Sequence, residues 1–145
     1  MYKRTIADVY KRNLSNYRRL TRLLFPSPAE LRFIELFGGK MWTLKYLKSI
    51  KTGFPLTFIY KKPKLFKAEK VKREVRAGSK YIDFANDIGR GIEIQGYEYH
   101  RDVVKEFERE LFLYQRGWKI LYIEASSLYG DSADVQRRVL RFLLD

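Results

Sequence analysis

The sequence predicts an α/β domain: a mixed β-sheet flanked by helices, with a basic helix ahead of it. Three observations carry that expectation. Apolar residues recur at steps of three and four near both ends of the 145-residue chain, as in amphipathic helices. Between them lie short stretches in which apolar and polar residues alternate, as in half-buried strands. The order is helix, helix, several strands, helix, strand, helix, which packs as helices against one sheet. The length suits one domain over residues 1–145, divided into a basic N-terminal helix (1–26) and a core (27–145) with a basic insertion at about 40–70.

Residues 4–24 read as the first helix. Ile6, Val9, Tyr10, Tyr17, Leu20 and Leu24 form its apolar side. Arg4, Lys11, Arg12, Arg18, Arg19 and Arg22 fill much of the remainder, and Pro26 ends it. Ser27-Pro28-Ala29-Glu30 starts the second helix with serine at N-cap, proline at N1 and glutamate at N3. Leu31, Phe33, Ile34 and Phe37 follow, and Gly38-Gly39 stop it.

Residues 40–70 give weaker signals. They hold Trp42, a possible strand at 56–60 and the basic run KKPKLFKAEKVKR, in which Pro63 argues against a central strand. A mobile basic arm or an irregular edge is expected. From residue 71 the pattern sharpens. VKREVRA, then 80–85 and 90–96, read as strands, and 101–116 as a helix with Val103, Val104, Phe107, Leu111 and Tyr114 on one face. KILYIE is a further strand. Residues 131–144 are a last helix with Val135, Val139, Leu140, Phe142 and Leu143 inward.

Composition narrows the chemistry. The chain has no cysteine, which excludes disulfides, thiolate metal sites and thiol nucleophiles. No apolar run approaches a bilayer span, and the first residues hold no signal-peptide core. A soluble, cytoplasmic protein without membrane contact is expected. Residues 1–80 hold 21 Lys and Arg against 5 Asp and Glu, whereas residues 81–145 hold 9 against 12. A basic half joined to a mildly acidic half points to a polyanion-facing surface beside something else.

The stretch KYIDFANDIGRGIEIQG reads as a β-hairpin. With Asp87-Ile88-Gly89 as a three-residue loop and Gly89 in the left-handed conformation, Asn86 pairs with Arg90, Asp83 with Glu93, and Tyr81 with Gln95. Ile82, Phe84, Ile92 and Ile94 then share an apolar face, and Asp83, Glu93 and Gln95 the other. Directly opposed β-carbons lie about 4.5–5.5 Å apart, where two like charges repel. A divalent cation between them resolves the conflict, because Mg²⁺ is commonly held by carboxylates together with water and substrate phosphate. Solvated acids on an exposed hairpin face are the alternative.

Asp83, nine residues, then Glu93-Ile94-Gln95 resembles the D…(D/E)-x-K signature of the restriction-endonuclease-like nucleases. The wider stretch, with Asp83-Phe84, Glu93-Ile94-Gln95-Gly96, His100, Arg101-Asp102, Leu111 and Gly117-Trp118, is similar to the very-short-patch-repair-like branch. Glu30 resembles the helical glutamate that precedes the motif strands in many members. The resemblance covers residues 70–128, and 27–37 more loosely. It implies a metal-dependent DNA endonuclease in which Asp83 and Glu93, with the carbonyl of Ile94, ligate Mg²⁺ or Mn²⁺. The sequence departs from the pattern at Gln95, where lysine is usual in the superfamily and aspartate in this branch. Glutamine carries no charge but can orient an attacking water, and Lys80 or Lys105 is a candidate for the missing charge. The departure also opens a second reading, a nucleic-acid-binding protein without catalysis.

Other residues carry two readings each. Glu30 is explained by capping, or is a metal or outer ligand. His100 is structural, or a proton carrier. Lys61, Lys62, Lys64, Lys67, Lys70, Lys72 and Arg73, with Arg18 and Arg19, are expected to contact DNA phosphates; a solvated arm is the alternative. Trp118 is expected to pack in the core, and Trp42 to be buried or to stack on a base. Cleavage of both strands would call for a homodimer.

Overall fold

The computed structural model describes residues 26–41, 60–96 and 103–145. The expected helix at 4–24, the expected strand at 56–60 except Tyr60, and Trp42, His100, Arg101 and Asp102 lie outside the described residues. The elements are α1 (Pro28–Leu36), β1 (Lys40–Met41), β2 (Tyr60–Lys61), α2 (Lys64–Ala68), β3 (Lys72–Ala77), β4 (Lys80–Ala85), β5 (Arg90–Gln95), α3 (Val103–Gln115), β6 (Lys119–Glu124), α4 (Ser127–Gly130) and α5 (Ser132–Leu144). Strands β3, β4, β5 and β6 form one sheet in that order, antiparallel except for the parallel β5–β6 pair. The short strands β1 and β2 pair separately. The fold is thus α/β with a mixed four-stranded sheet, as the alternating and helical patterns imply. No described helix is long and apolar enough to cross a membrane.

Each face of the sheet has its own core. On one, Phe84, Ile92 and Ile123 meet Phe33 and Ile34 of α1, Phe66 of α2, and Val135, Val139 and Leu143 of α5. On the other, Val75, Ala77, Ile82, Ala85 and Ile120 meet Phe112 and Leu113 of α3, with Trp118 packed alongside. Each fully buried Leu, Ile, Val or Phe contributes about 1.5–3 kcal/mol, so both layers anchor the sheet.

Four sequence expectations change. The basic run is not a loose arm: it holds α2 and leads into β3, an edge strand of the sheet. Pro63 begins α2, and Phe66 is fully buried, with its ring 5.7 Å from that of Phe33 and 5.8 Å from that of Phe84. An aromatic anchor outweighs the solvation of the lysines around it. In α5, Leu140 is 40 % exposed, while Val135, Val139 and Leu143 form the buried stripe.

Helix α3 is turned the other way round. Leu113 is buried and Phe112 packs beside it, whereas Val103, Val104, Phe107, Leu111 and Tyr114 face outward. Its inward face also carries Arg109, which pairs with the buried Glu93. Turning the apolar stripe inward would leave that carboxylate without its guanidinium, at a cost of about 3–5 kcal/mol for a buried pair that loses one partner.

Finally, Ile82 and Phe84 do not share a face. Phe84 belongs with Ile92, while Ile82 belongs to the α3 side, where its Cγ2 lies 2.9 Å from a Cβ built on Gly91. Strand β3 switches in step, since Arg73 pairs with Phe84 and Val75 with Ile82. The residue between them, Glu74, adopts φ +50°, a left-handed conformation rare for a residue with a side chain.

Candidate metal centre

The hairpin forms as its loop chemistry dictates. The Asn86 carboxamide oxygen accepts from the N–H of Ile88 at 3.2 Å and of Arg90 at 2.9 Å. Asn86 N–H donates to Arg90 O at 3.0 Å, and Gly89 has φ +89°. A side chain at Gly89 would also collide, because its Cβ would lie 2.8 Å from the carbonyl oxygen of Gly117. The resulting register pairs Ala85 with Gly91 and Phe84 with Ile92, which is the expected register.

Beyond Phe84 the ladder opens. The next position would place Asp83 opposite Glu93, but the recorded pairing stops at Phe84–Ile92. The N–H of Ile94 instead donates to Asp83 Oδ2 at 2.9 Å. A side chain has taken the place of a backbone acceptor, and this draws the Asp83 carboxylate into the gap between β4 and β5.

Carboxylates gather around that gap. Glu30, Glu74 and Asp83 each present an oxygen, and the three oxygens lie within 4.8 Å of one another. Glu30 comes from the first turn of α1, where Ser27 Oγ accepts from Glu30 N–H at 3.2 Å and donates to Glu30 Oε1 at 3.2 Å. The capping reading of Glu30 is thus seen in the structure: Oε1 accepts from Ser27 Oγ, while Oε2 lies 3.8 Å from Arg73 Nη2. Glu74 comes from β3, where the register places it opposite Asp83. Glu93 adjoins from β5 through a hydrogen bond with Asp83.

Two guanidiniums offset these charges among the described residues. Arg73 Nη2 lies 3.8 Å from Glu30 Oε2, and Arg109 pairs with Glu93 while donating to Tyr81 O at 2.9 Å. The balance still favours negative charge. Burial and the facing Asp83 carboxylate push Glu93 up to about 8, against the pull of Arg109. Burial and Asp83 also raise Glu30, against the pull of Arg73 and the Ser27 hydrogen bonds.

The donor set fits a hard divalent cation. All candidate ligands are oxygens, which Mg²⁺ and Mn²⁺ prefer over nitrogen and sulfur. Oxygens on opposite sides of Mg²⁺ lie about 4.2 Å apart, inside the observed spread. Glu30 Oε2 is buried and has no hydrogen-bond partner, leaving a lone pair available to a cation.

Gln95 is buried on β5, two positions beyond Glu93 on the same side, opposite Glu124 of β6. Lys80 and Lys105 line a shallow cavity together with Ser79, Glu108, Arg109 and Phe112. Arg109 is a described cation that pairs with Glu93. The lysines divide. Lys62, Lys67, Lys70 and Lys72 line a groove of about 680 Å³ with Arg116 and Trp118, at the turn end of the hairpin. Burial, then Lys72 and Lys67, pull the Lys62 ammonium below its ordinary pKa, as expected where cations crowd. Lys61 and Lys64 are exposed on β2 and α2. Arg73 departs from the expected phosphate contact: it is buried, donates to Met41 Sδ at 3.4 Å and lies over the Tyr60 ring. Arg18 and Arg19 lie outside the described residues.

Glu74 and Arg109 are the site residues that the sequence reading missed. A signal for Glu74 existed, since the two-residue turn Gly78-Ser79 fixes a register that sets residue 74 against residue 83. For Arg109 the apolar stripe of α3 pointed the wrong way. Comparison of the chain with protein-family models, with curated proteins and with solved structures finds no match in any of the three.

Proposed function

We propose that this protein is a metal-dependent DNA endonuclease that hydrolyses phosphodiester bonds at the Asp83 cluster. The observation that carries the reading is the convergence of Glu30, Glu74 and Asp83 oxygens within 4.8 Å, where the β4–β5 ladder opens. Asp83, Glu30 and Glu74 would hold Mg²⁺ or Mn²⁺, with Glu93 and the Ile94 carbonyl bordering them. Such an ion, when bound, supplies charge neutralisation at a scissile phosphate and lowers the pKa of water. The restriction-endonuclease-like assignment of the core belongs to the same proposal.

The chain's own residues have separate tasks. The Ile94 N–H holds Asp83 in one orientation. Arg109 supplies the positive charge that Gln95 does not, next to Glu93. Gln95 orients water by hydrogen bonding. The lysines of the 680 Å³ groove neutralise phosphates away from the cut, and their attraction falls with salt. One such centre cuts one strand, so cleavage of both strands takes two copies.

A second reading, a DNA-binding protein without hydrolysis, is favoured by Arg109. Its guanidinium already lies on Glu93, so part of the acidic cluster is an ion-pair network. Plasmid nicking with Mg²⁺ or Mn²⁺, run beside Asp83→Ala, separates the two. Nicking by the parent and not by the variant supports hydrolysis. No nicking by either, with salt-sensitive binding retained, supports the second reading.

A further inference from the structure

Five cations crowd the groove at the turn end of the hairpin. Lys62, Lys67, Lys70, Lys72 and Arg116 line a space of about 680 Å³, and Asp87, 3.9 Å from Lys70, is the one acid among its described lining residues. Like charges so arranged repel one another, and an anion between them relieves the repulsion. The walls are fixed before any ligand arrives. Phe66 fastens α2 to the core, and the hairpin turn abuts the end of α3, where Lys119 N–H donates to Gly89 O at 2.8 Å. A preformed site spends little entropy on binding.

Charge is only part of the lining. Trp118 packs on the core of Ala77, Ile82, Ala85 and Leu113, stays half-buried, and also lines this groove. Lysines beside an aromatic ring suit a single strand, whose phosphates meet the cations while a base stacks on the ring. A paired base keeps both faces in its own stack and cannot enter a recess; an unpaired base can. The volume is that of pockets that enclose a small ligand. The groove also leads toward the acids. Lys72 and Ala85 pair across β3 and β4 at the groove, and Glu74 and Asp83 stand two residues further along the same strands. That step is about 7 Å, the rise of about two stacked nucleotides.

We propose that the groove holds unpaired nucleotides of a single-stranded extension on duplex DNA, with a base on Trp118 and the flanking phosphates on Lys62, Lys67 and Lys72. This names the substrate class of the DNA-binding reading above, on which it rests, and does not depend on hydrolysis.

Fluorescence anisotropy of the full chain in EDTA tests it. Three labelled duplexes share one paired core: one is blunt, one carries a three-nucleotide extension, and one carries the same extension without bases. Extensions on the 5′ and on the 3′ end are tried separately. In one polarity the extension with bases is expected to bind at least fivefold more tightly than the abasic one, the lower end of base–aromatic stacking. Equal affinities overturn the proposal and leave the DNA-binding reading standing; no binding of any duplex removes both. A second readout locates the base. The chain has two tryptophans, and Trp42→Phe leaves Trp118 as the lone indole. Its emission is expected to fall at least twofold on saturation with the base-bearing extension and to hold steady with the abasic one. Unchanged emission overturns the proposal, because the base then stacks elsewhere. The affinity comparison uses the parent chain, so it stands whatever Trp42→Phe does to folding.

Discussion

The Asp83 carboxylate accepts the Ile94 amide proton at 2.9 Å, where the β4–β5 ladder would otherwise continue through backbone groups. That one bond opens the sheet and fixes an acid beside Glu30, Glu74 and Glu93. Asp83→Asn keeps an acceptor for Ile94 and removes a charge from a crowded site. Its unfolding free energy without divalent cation is expected to equal or exceed that of the parent. Asp83→Ala, which leaves the N–H without this acceptor, is expected to lose about 1–3 kcal/mol. Urea denaturation in EDTA measures both.

Glu93 sets a pH dependence of stability. Its folded-state pKa is pushed up to about 8, chiefly by burial and then by Asp83, above the ordinary carboxylate value of 4.5. Between those two values the folded state keeps a proton that the unfolded state releases, so stability falls as pH rises through this window. A bound divalent cation replaces that proton. Stabilisation by Mn²⁺ is therefore expected to grow from pH 6 to pH 8, with proton release on binding near pH 7. Melting temperatures with Mn²⁺ and with EDTA at the two pH values check the direction.

Arg109 holds Glu93 from α3. Arg109→Gln is expected to destabilise the fold by about 1–3 kcal/mol, less than for an ideal buried pair because Glu93 can take up a proton. The loss is expected to be larger at pH 8.5 than at pH 6. Adding Glu93→Gln should recover much of it. A double-mutant cycle in which the two losses simply add would show that the pair is not coupled.

Phe66 fastens the basic run to the core, fully buried against Phe33 and Phe84. Phe66→Ala is expected to cost about 3–5 kcal/mol, and chemical denaturation reads it directly. A loss below 1 kcal/mol would mean that this stretch is not packed as described.

The lysine groove makes a claim about salt. If Lys62, Lys67 and Lys72 neutralise phosphates, each Lys→Ala change lowers the slope of log affinity against log salt by about 0.9 for duplex DNA. Fluorescence anisotropy across a salt series reads the slope. Unchanged slopes in all three variants would remove the groove from the DNA-binding surface.

The parts legible in the sequence were those governed by local rules. Asn86 and Gly89 fix the loop and the register of the hairpin, and Ser27 and Glu30 fix the start of α1. The rest depends on long-range balance. Alternation placed Ile82 with Phe84, but the left-handed Glu74 and the opened ladder at Asp83 send them to opposite cores. Helical spacing found the apolar stripe of α3 but not its direction, because the buried Glu93 requires Arg109 on the inner side. Lysine density read as mobility, since a single Phe66 among seven cations is invisible to a charge pattern.

The most direct measurement is calorimetric titration of Mn²⁺ into the full chain at pH 7.5, beside Asp83→Asn. The expected result is saturable binding by the parent, weakened at least tenfold in the variant, whose fold remains intact by circular dichroism. Equal affinity in the two proteins, or no binding by the parent, would contradict a cation site at the opened hairpin and leave a basic protein with an internal ion-pair network.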